Sequence, residues 1–135
     1  AGIEAIVYFT RFLSHFKTTD GKDPEFMDKD NLPSYLLCHL NIARICGKMY
    51  SFGNNQMKVE WLKKSLKEYQ FIVAFGEKNV PSALEEQRKE AFLEGQDEST
   101  IRPIFKEEMK HCKQMIQLLP EKINRLHYFN QDISD

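Results

Sequence analysis

The stretch SLKEYQFIVAFGEK, residues 65–78, decides the fold. Its large apolar residues Leu66, Tyr69, Phe71, Ile72, Val73 and Phe75 gather along one side of a helix, with charge on the other. A related phrase opens the chain: EAIVYFTRFLSHFK, residues 4–17. Aligning Ala5 with Ser65 sets Ile6 on Leu66, Phe9 on Tyr69, Phe12 on Ile72 and Leu13 on Val73. The same helix is written twice, sixty residues apart.

The shared pattern is a small residue, an aromatic four positions on, and a large residue three further. That is the spacing of the second helix of a tetratricopeptide repeat, where the small residue admits the neighbouring helix and the aromatic fills the space between repeats. The segment around Leu40 and Asn41 resembles the first helix of such a repeat. The chain then reads as a second helix, a full pair, and a closing pair. The sixty-residue offset exceeds the usual repeat of about 34 residues. On spacing alone, a repeat solenoid and a plain helical bundle remain equally good readings.

Working outward, a first helix is expected over 2–17, on Ile6, Phe9, Leu13 and Phe16. TTDGKDPEFMDKDN, residues 18–31, is rich in Asp, Gly and Pro and reads as a loop. Pro33 suits the first turn of a second helix over 34–52. Gly53 is its expected stop, and Asn55 the expected cap of a third helix over 56–78. Asn79, Val80 and Pro81 are expected to break that helix, with Ser82 and Glu85 forming a capping box behind the break. A charged insertion or mobile segment follows at 82–102. Thr100 and Pro103 open a fourth helix to Leu119, and Pro120 turns a short last helix, 121–128, back over the core. Ile123, Leu126 and Phe129 would be the lid of that core, and the tail from Asn130 is expected to fray. Nothing alternates with the period of a strand, so the fold class is all-α: antiparallel helices of tetratricopeptide-like type, at the C-terminal end of a solenoid.

Composition bounds the function. The 135 residues suit one helical domain, 1–135, and at 41% hydrophobic they can build a packed core. A net charge of −1 gives no electrostatic footprint for nucleic acid or anionic lipid. No apolar run reaches the roughly 20 residues of a membrane span, so no membrane insertion is expected. The three cysteines stand in apolar stretches without a CxxC pair, which reads as reduced, buried thiols in a cytoplasmic protein. Cys38–His39 and Cys112 beside His111 are sequence neighbours, about 100° apart on a helix, so neither pair chelates a metal from one face. No GxSxG, phosphate-binding glycine loop or HExxH is present, so neither an enzyme nor a cofactor is expected. The chain also lacks an initiator Met, and Ile3 already stands in a helical pattern, which reads as the end piece of a longer protein.

Four phrases, in order, narrow the reading: AIVYFTRFL at 5–13, ARICGK at 43–48, SLKEYQFIV at 65–73 and KQMIQLLPEKINRL at 113–126. Their order and spacing resemble the C-terminal end of the KIF-binding proteins, the kinesin family-binding proteins. The resemblance covers about 3–78 and 103–126; the charged segment 82–102 is its main departure. It implies a non-catalytic adaptor of helical repeats that grips kinesin motor domains and blocks their attachment to microtubules. It implies roles in organelle and mitochondrial transport and in axon growth, a cytoplasmic and cytoskeleton-associated location, and room for other cytoskeletal partners.

On that reading the motor surface is broadly basic, so acidic or mixed surfaces become candidate contacts. The loop offers Asp20, Asp23, Glu25, Asp28 and Asp30 against Lys22 and Lys29. Arg44 and Lys48 are four apart on the second helix and share a face, expected on the concave side. A solvated loop without a role is the competing reading for the acidic residues, and pairing with nearby carboxylates for the two cations. The alternative for the whole chain is a structural cap, with the partner site upstream.

Overall fold

The computed structural model describes the backbone of residues 2–134 and the side chains of residues 2–128. Among the described residues four α-helices follow one another: α1 (Gly2–Ser14), α2 (Leu32–Met49), α3 (Asn55–Leu93) and α4 (Lys106–Ser134). One 3-10 turn, Glu98–Thr100, interrupts the α3–α4 connection. There is no strand among the described residues, as the all-α reading expects.

Each helix packs on the one before it and runs antiparallel to it. Phe16 meets Tyr35 across α1 and α2, while the Cys38 thiol reaches the Phe9 carbonyl. Tyr35 meets Phe75, while the Ser65 hydroxyl donates to the Ala43 carbonyl at 2.8 Å. Tyr69 on α3 meets His111 on α4 edge to face. α2 is thus flanked by α1 and α3, and α3 by α2 and α4.

The repeated spacing does its physical work in α3. Ser65 is 1% exposed and lies 3.8 Å from where a Gly47 side chain would begin, so α2 and α3 approach closely there. Tyr69 and Ile72 are buried in the same core. In α1 the spacing is half-used: no α1 residue is fully buried, and Ile3, Val7, Tyr8 and Phe12 are exposed.

Two expected breaks are not there. α3 runs without interruption through Asn79 and Pro81 for 39 residues, and no capping box separates a new helix at Ser82. α4 likewise runs through Pro120 for 29 residues rather than folding back, reaching Ser134 through the tail expected to fray. A helix-interior proline removes one backbone bond and costs about 3 kcal/mol. Both prolines lie on exposed positions, where water can serve the carbonyl that lost its donor. Buried neighbours hold the helix on either side: Asn79 and Ala83 around Pro81, Leu119 and Ile123 around Pro120.

Smaller boundaries shift too. The cap of α3 is Asn54, not Asn55; its side chain accepts the Met57 N–H at 2.9 Å. α2 ends at Met49, not at Phe52, so Gly53, expected as its stop, lies four residues beyond it in the connection, at φ +92°. α4 opens at Lys106, after Phe105 takes a left-handed φ of +58°, rather than at Thr100 or Pro103. Ile123 is buried and Leu126 partly so, packed on the core; Phe129 lies outside the described side chains.

Candidate partner-binding surface

The acidic loop, 18–31, is bound to the core of the fold. Asn79, buried inside α3, accepts the Met27 N–H through Oδ1 at 3.0 Å and donates from Nδ2 to the Glu25 carbonyl at 3.2 Å. The same Nδ2 donates to the Phe75 carbonyl of its own helix. Lys29 reaches the far end of α3 and pairs with Glu90 at 2.7 Å, with Asp30 as a second partner at 3.0 Å. Glu90 first and Asp30 second hold the Lys29 ammonium above its ordinary pKa. The continuation of α3 beyond Lys78, from Asn79 to Glu90, is therefore the post to which the loop is tied.

The acidic residues of the loop divide into two kinds. Asp20 accepts from the Thr18 hydroxyl, which lowers its carboxyl pKa, and lies 3.8 Å from Lys22. Asp28 accepts from the Asn31 side chain at 2.8 Å and from the Asp30 N–H at 3.2 Å; the Asn31 contact is the main cause of its lowered pKa. Both carboxylates shape turns. Asp23 instead faces the groove between α1 and α3. Glu25 is exposed, and only its backbone is held by Asn79.

Arg44 and Lys48 are exposed, on the half of α2 remote from this loop. The Arg44 charge reaches Tyr69 and Cys112, opposing the rise that burial imposes on both. It sits towards α4, so the two candidate groups form separate patches. An 18-residue helix at about 1.5 Å per residue separates its ends by more than two ordinary side-chain lengths.

Between α1 and α3, with α2 as floor, runs a groove of about 480 Å³. Ile6, Val7, Ile42 and Trp61 give it an apolar lining, and Lys64 and Lys67 line it from α3. His39 stands at its floor, its ring packed on Tyr35 and Phe71. Its Nδ1 lies 2.6 Å from Glu68, and its Nε2 is buried without a hydrogen-bond partner. No group of three metal-ligating side chains occurs among the described residues. Burial pushes the Cys38, Cys46 and Cys112 thiols up to about 11, which leaves them protonated and unreactive at neutral pH. No helix among the described residues is long and apolar enough to cross a membrane.

Sequence reading missed Asn79, Lys29, Glu90 and the His39–Glu68 pair. A polar residue on an otherwise apolar helical stripe was the available signal for Asn79 and His39. The Lys29–Glu90 pair left none, since its partners are sixty-one positions apart.

A family described as "KIF-1 binding protein C terminal" matches residues 2–126. The KIF-binding protein of Xenopus tropicalis is 30% identical over 122 residues, covering 90% of this chain and 17% of that protein. Those of Danio rerio and Homo sapiens are 29% and 28% identical, covering 88% and 90% of this chain and 16% of each relative. The chain spans about a sixth of the length of these relatives. No solved structure matches it.

Proposed function

The chain belongs to the KIF-1 binding protein C-terminal family, and we propose that it is a helical piece of a non-catalytic adaptor that helps to hold kinesin motor domains. The family match over 2–126 carries this reading. In it, the whole chain acts as one tetratricopeptide-like unit at the end of a solenoid, with the charged segment 82–102 as an insertion. The adaptor keeps motors from attaching to microtubules, in a cytoplasmic, cytoskeleton-associated setting tied to organelle and mitochondrial transport and axon growth. Other cytoskeletal proteins are further candidate partners, and neither nucleic acid nor membrane insertion enters the reading.

Asp23 and Glu25 are the acidic residues best suited to meet a basic motor surface. Their carboxylates have no hydrogen bond or ion pair among the described residues, whereas Asp20 and Asp28 are engaged in local turns. Arg44 and Lys48 form a second, separate candidate contact on α2. A tied-down loop presents these charges with less ordering entropy to lose on binding.

The second reading is a structural cap with the partner site upstream. The burial of Leu119 and Ile123 favours it, because α4 covers a face of α3 that would otherwise be open.

The test is binding of a panel of kinesin motor domains to this chain and to a full-length relative, by interferometry at two salt concentrations. Salt-sensitive binding to the chain, weakened by Asp23→Lys and Glu25→Lys, is the expected result. Binding only to the full-length protein favours the cap; binding to neither overturns the adaptor reading.

A further inference from the structure

A second groove lies between α3 and α4, beside Pro81, with a volume of about 530 Å³. Val80 and Leu84 from α3 face Ile104 and Met109 across it. Val80, Leu84 and Met109 are only partly buried although they pack on the core, so apolar surface stays open to a partner. Gly76 forms part of the floor; a Cβ there would collide with the Met109 methyl, so the glycine is what lets the methionine lie in the groove. Methionine is unbranched and polarizable and adapts to a varied apolar surface.

The charge along this groove is one-sided. Lys106, Lys110 and Lys113 line its α4 wall, spaced as one stripe of a helix. Glu77 is the acidic residue of the lining, and it pairs with Lys113 at 3.3 Å. Lys106 and Lys110 make no ion pair among the described residues. Pro81 supplies no N–H to the Glu77 carbonyl, so a backbone acceptor also stands without its helical donor on the opposite wall.

We propose that this groove docks an acidic amphipathic helix of a partner protein, its apolar side chains over Val80, Leu84, Ile104 and Met109 and its carboxylates on Lys106 and Lys110. Two observations select that occupant. The groove runs along two helices, so it suits an elongated segment with apolar residues at i, i+3, i+4 and i+7. The lysine stripe suits carboxylates and repels a basic surface, so this site is distinct from the acidic loop offered to a kinesin motor. It does not depend on the motor-binding reading.

The probe is a fluorescein-labelled amphipathic peptide with leucines at i, i+3, i+4 and i+7 and glutamates elsewhere, titrated against the full 135-residue chain. Its counterpart carries lysine in place of every glutamate. The acidic peptide is expected to bind in a salt-sensitive way and to shift the Met109 methyl resonance in a methyl-labelled sample, ahead of Met57 and Met115. Lys106→Glu with Lys110→Glu should weaken it about tenfold, the scale of two partly exposed charge pairs, with the circular dichroism unchanged. Equal binding of the two peptides, an undiminished affinity in the double variant, or shifts centred on other methyls would overturn the proposal. So would concentration-dependent dimerisation that the acidic peptide does not compete, since the groove would then belong to a second copy of the chain.

Discussion

The Asn79 side-chain amide donates to the Glu25 carbonyl at 3.2 Å, fifty-four residues back along the chain. With the Met27 N–H received on Oδ1, that amide does for the loop what a backbone strand would do elsewhere. It follows that Asn79→Ala leaves two part-buried backbone groups of the loop, the Met27 N–H and the Glu25 carbonyl, without their side-chain partner. The expected loss is about 2–3 kcal/mol of stability, read by urea unfolding. Amide exchange should rise across 18–31 before it rises in α2. Unchanged exchange in the loop would contradict the role given to Asn79.

Ser65 governs how closely α2 and α3 approach. Ser65→Ala removes the hydrogen bond to the Ala43 carbonyl and should cost about 1 kcal/mol. Ser65→Leu places a large side chain against Ala43 and Gly47 and should cost about 1–3 kcal/mol through overpacking. Thermal melts of the two variants check the order; a Leu variant as stable as the Ala variant would refute the close approach.

Pro120 sits inside a continuous helix, so its replacement by alanine restores a backbone donor for the Ile116 carbonyl. Pro120→Ala should raise the melting temperature, by up to about 3 kcal/mol in stability. Were Pro120 a turn, the same change would lower it.

Ending the chain before Pro120 removes Ile123, which is 7% exposed, and the partly buried Leu126. The core beneath them then meets water. Aggregation on gel filtration and a lower melting temperature are expected. A soluble truncation of equal stability would show that the end of α4 covers nothing.

The buried thiols set an alkaline limit. In the folded chain Cys38, Cys46 and Cys112 ionise near 11, against about 8.5 for an unfolded thiol. Because the folded values are raised, their stabilising contribution is intact below about pH 8.5 and is lost as pH climbs towards 11. Urea midpoints should fall across that window, and less steeply after a Cys→Ala change. At pH 8 the native thiols should react slowly with an aromatic disulfide reagent and rapidly in denaturant.

Much of the architecture was legible because it is local. The apolar stripe of residues 65–78 and its echo at 4–17 repeat with the helical period, which needs no knowledge of neighbours. Ser65 and Tyr69 were readable as a small contact and an aromatic filler from their spacing alone, and both are buried between helices. The acidic loop was visible as a charge pattern. What it is fastened to was not.

The sequence by itself determined that the chain is helical, where its apolar stripes lie, that a break separates the second and third helices, and which cysteines are buried. Only the tertiary structure decided that α3 and α4 run on through Pro81 and Pro120. A proline's local cost is fixed by its chemistry, but whether a helix breaks there depends on the burial on either side. Ala83 and Leu119 supply that burial through residues distant in sequence. The same holds for Asn79: alone it disfavours a helix, because its side chain competes for backbone partners. Inside α3 those partners are Met27 and Glu25, brought to it by the fold.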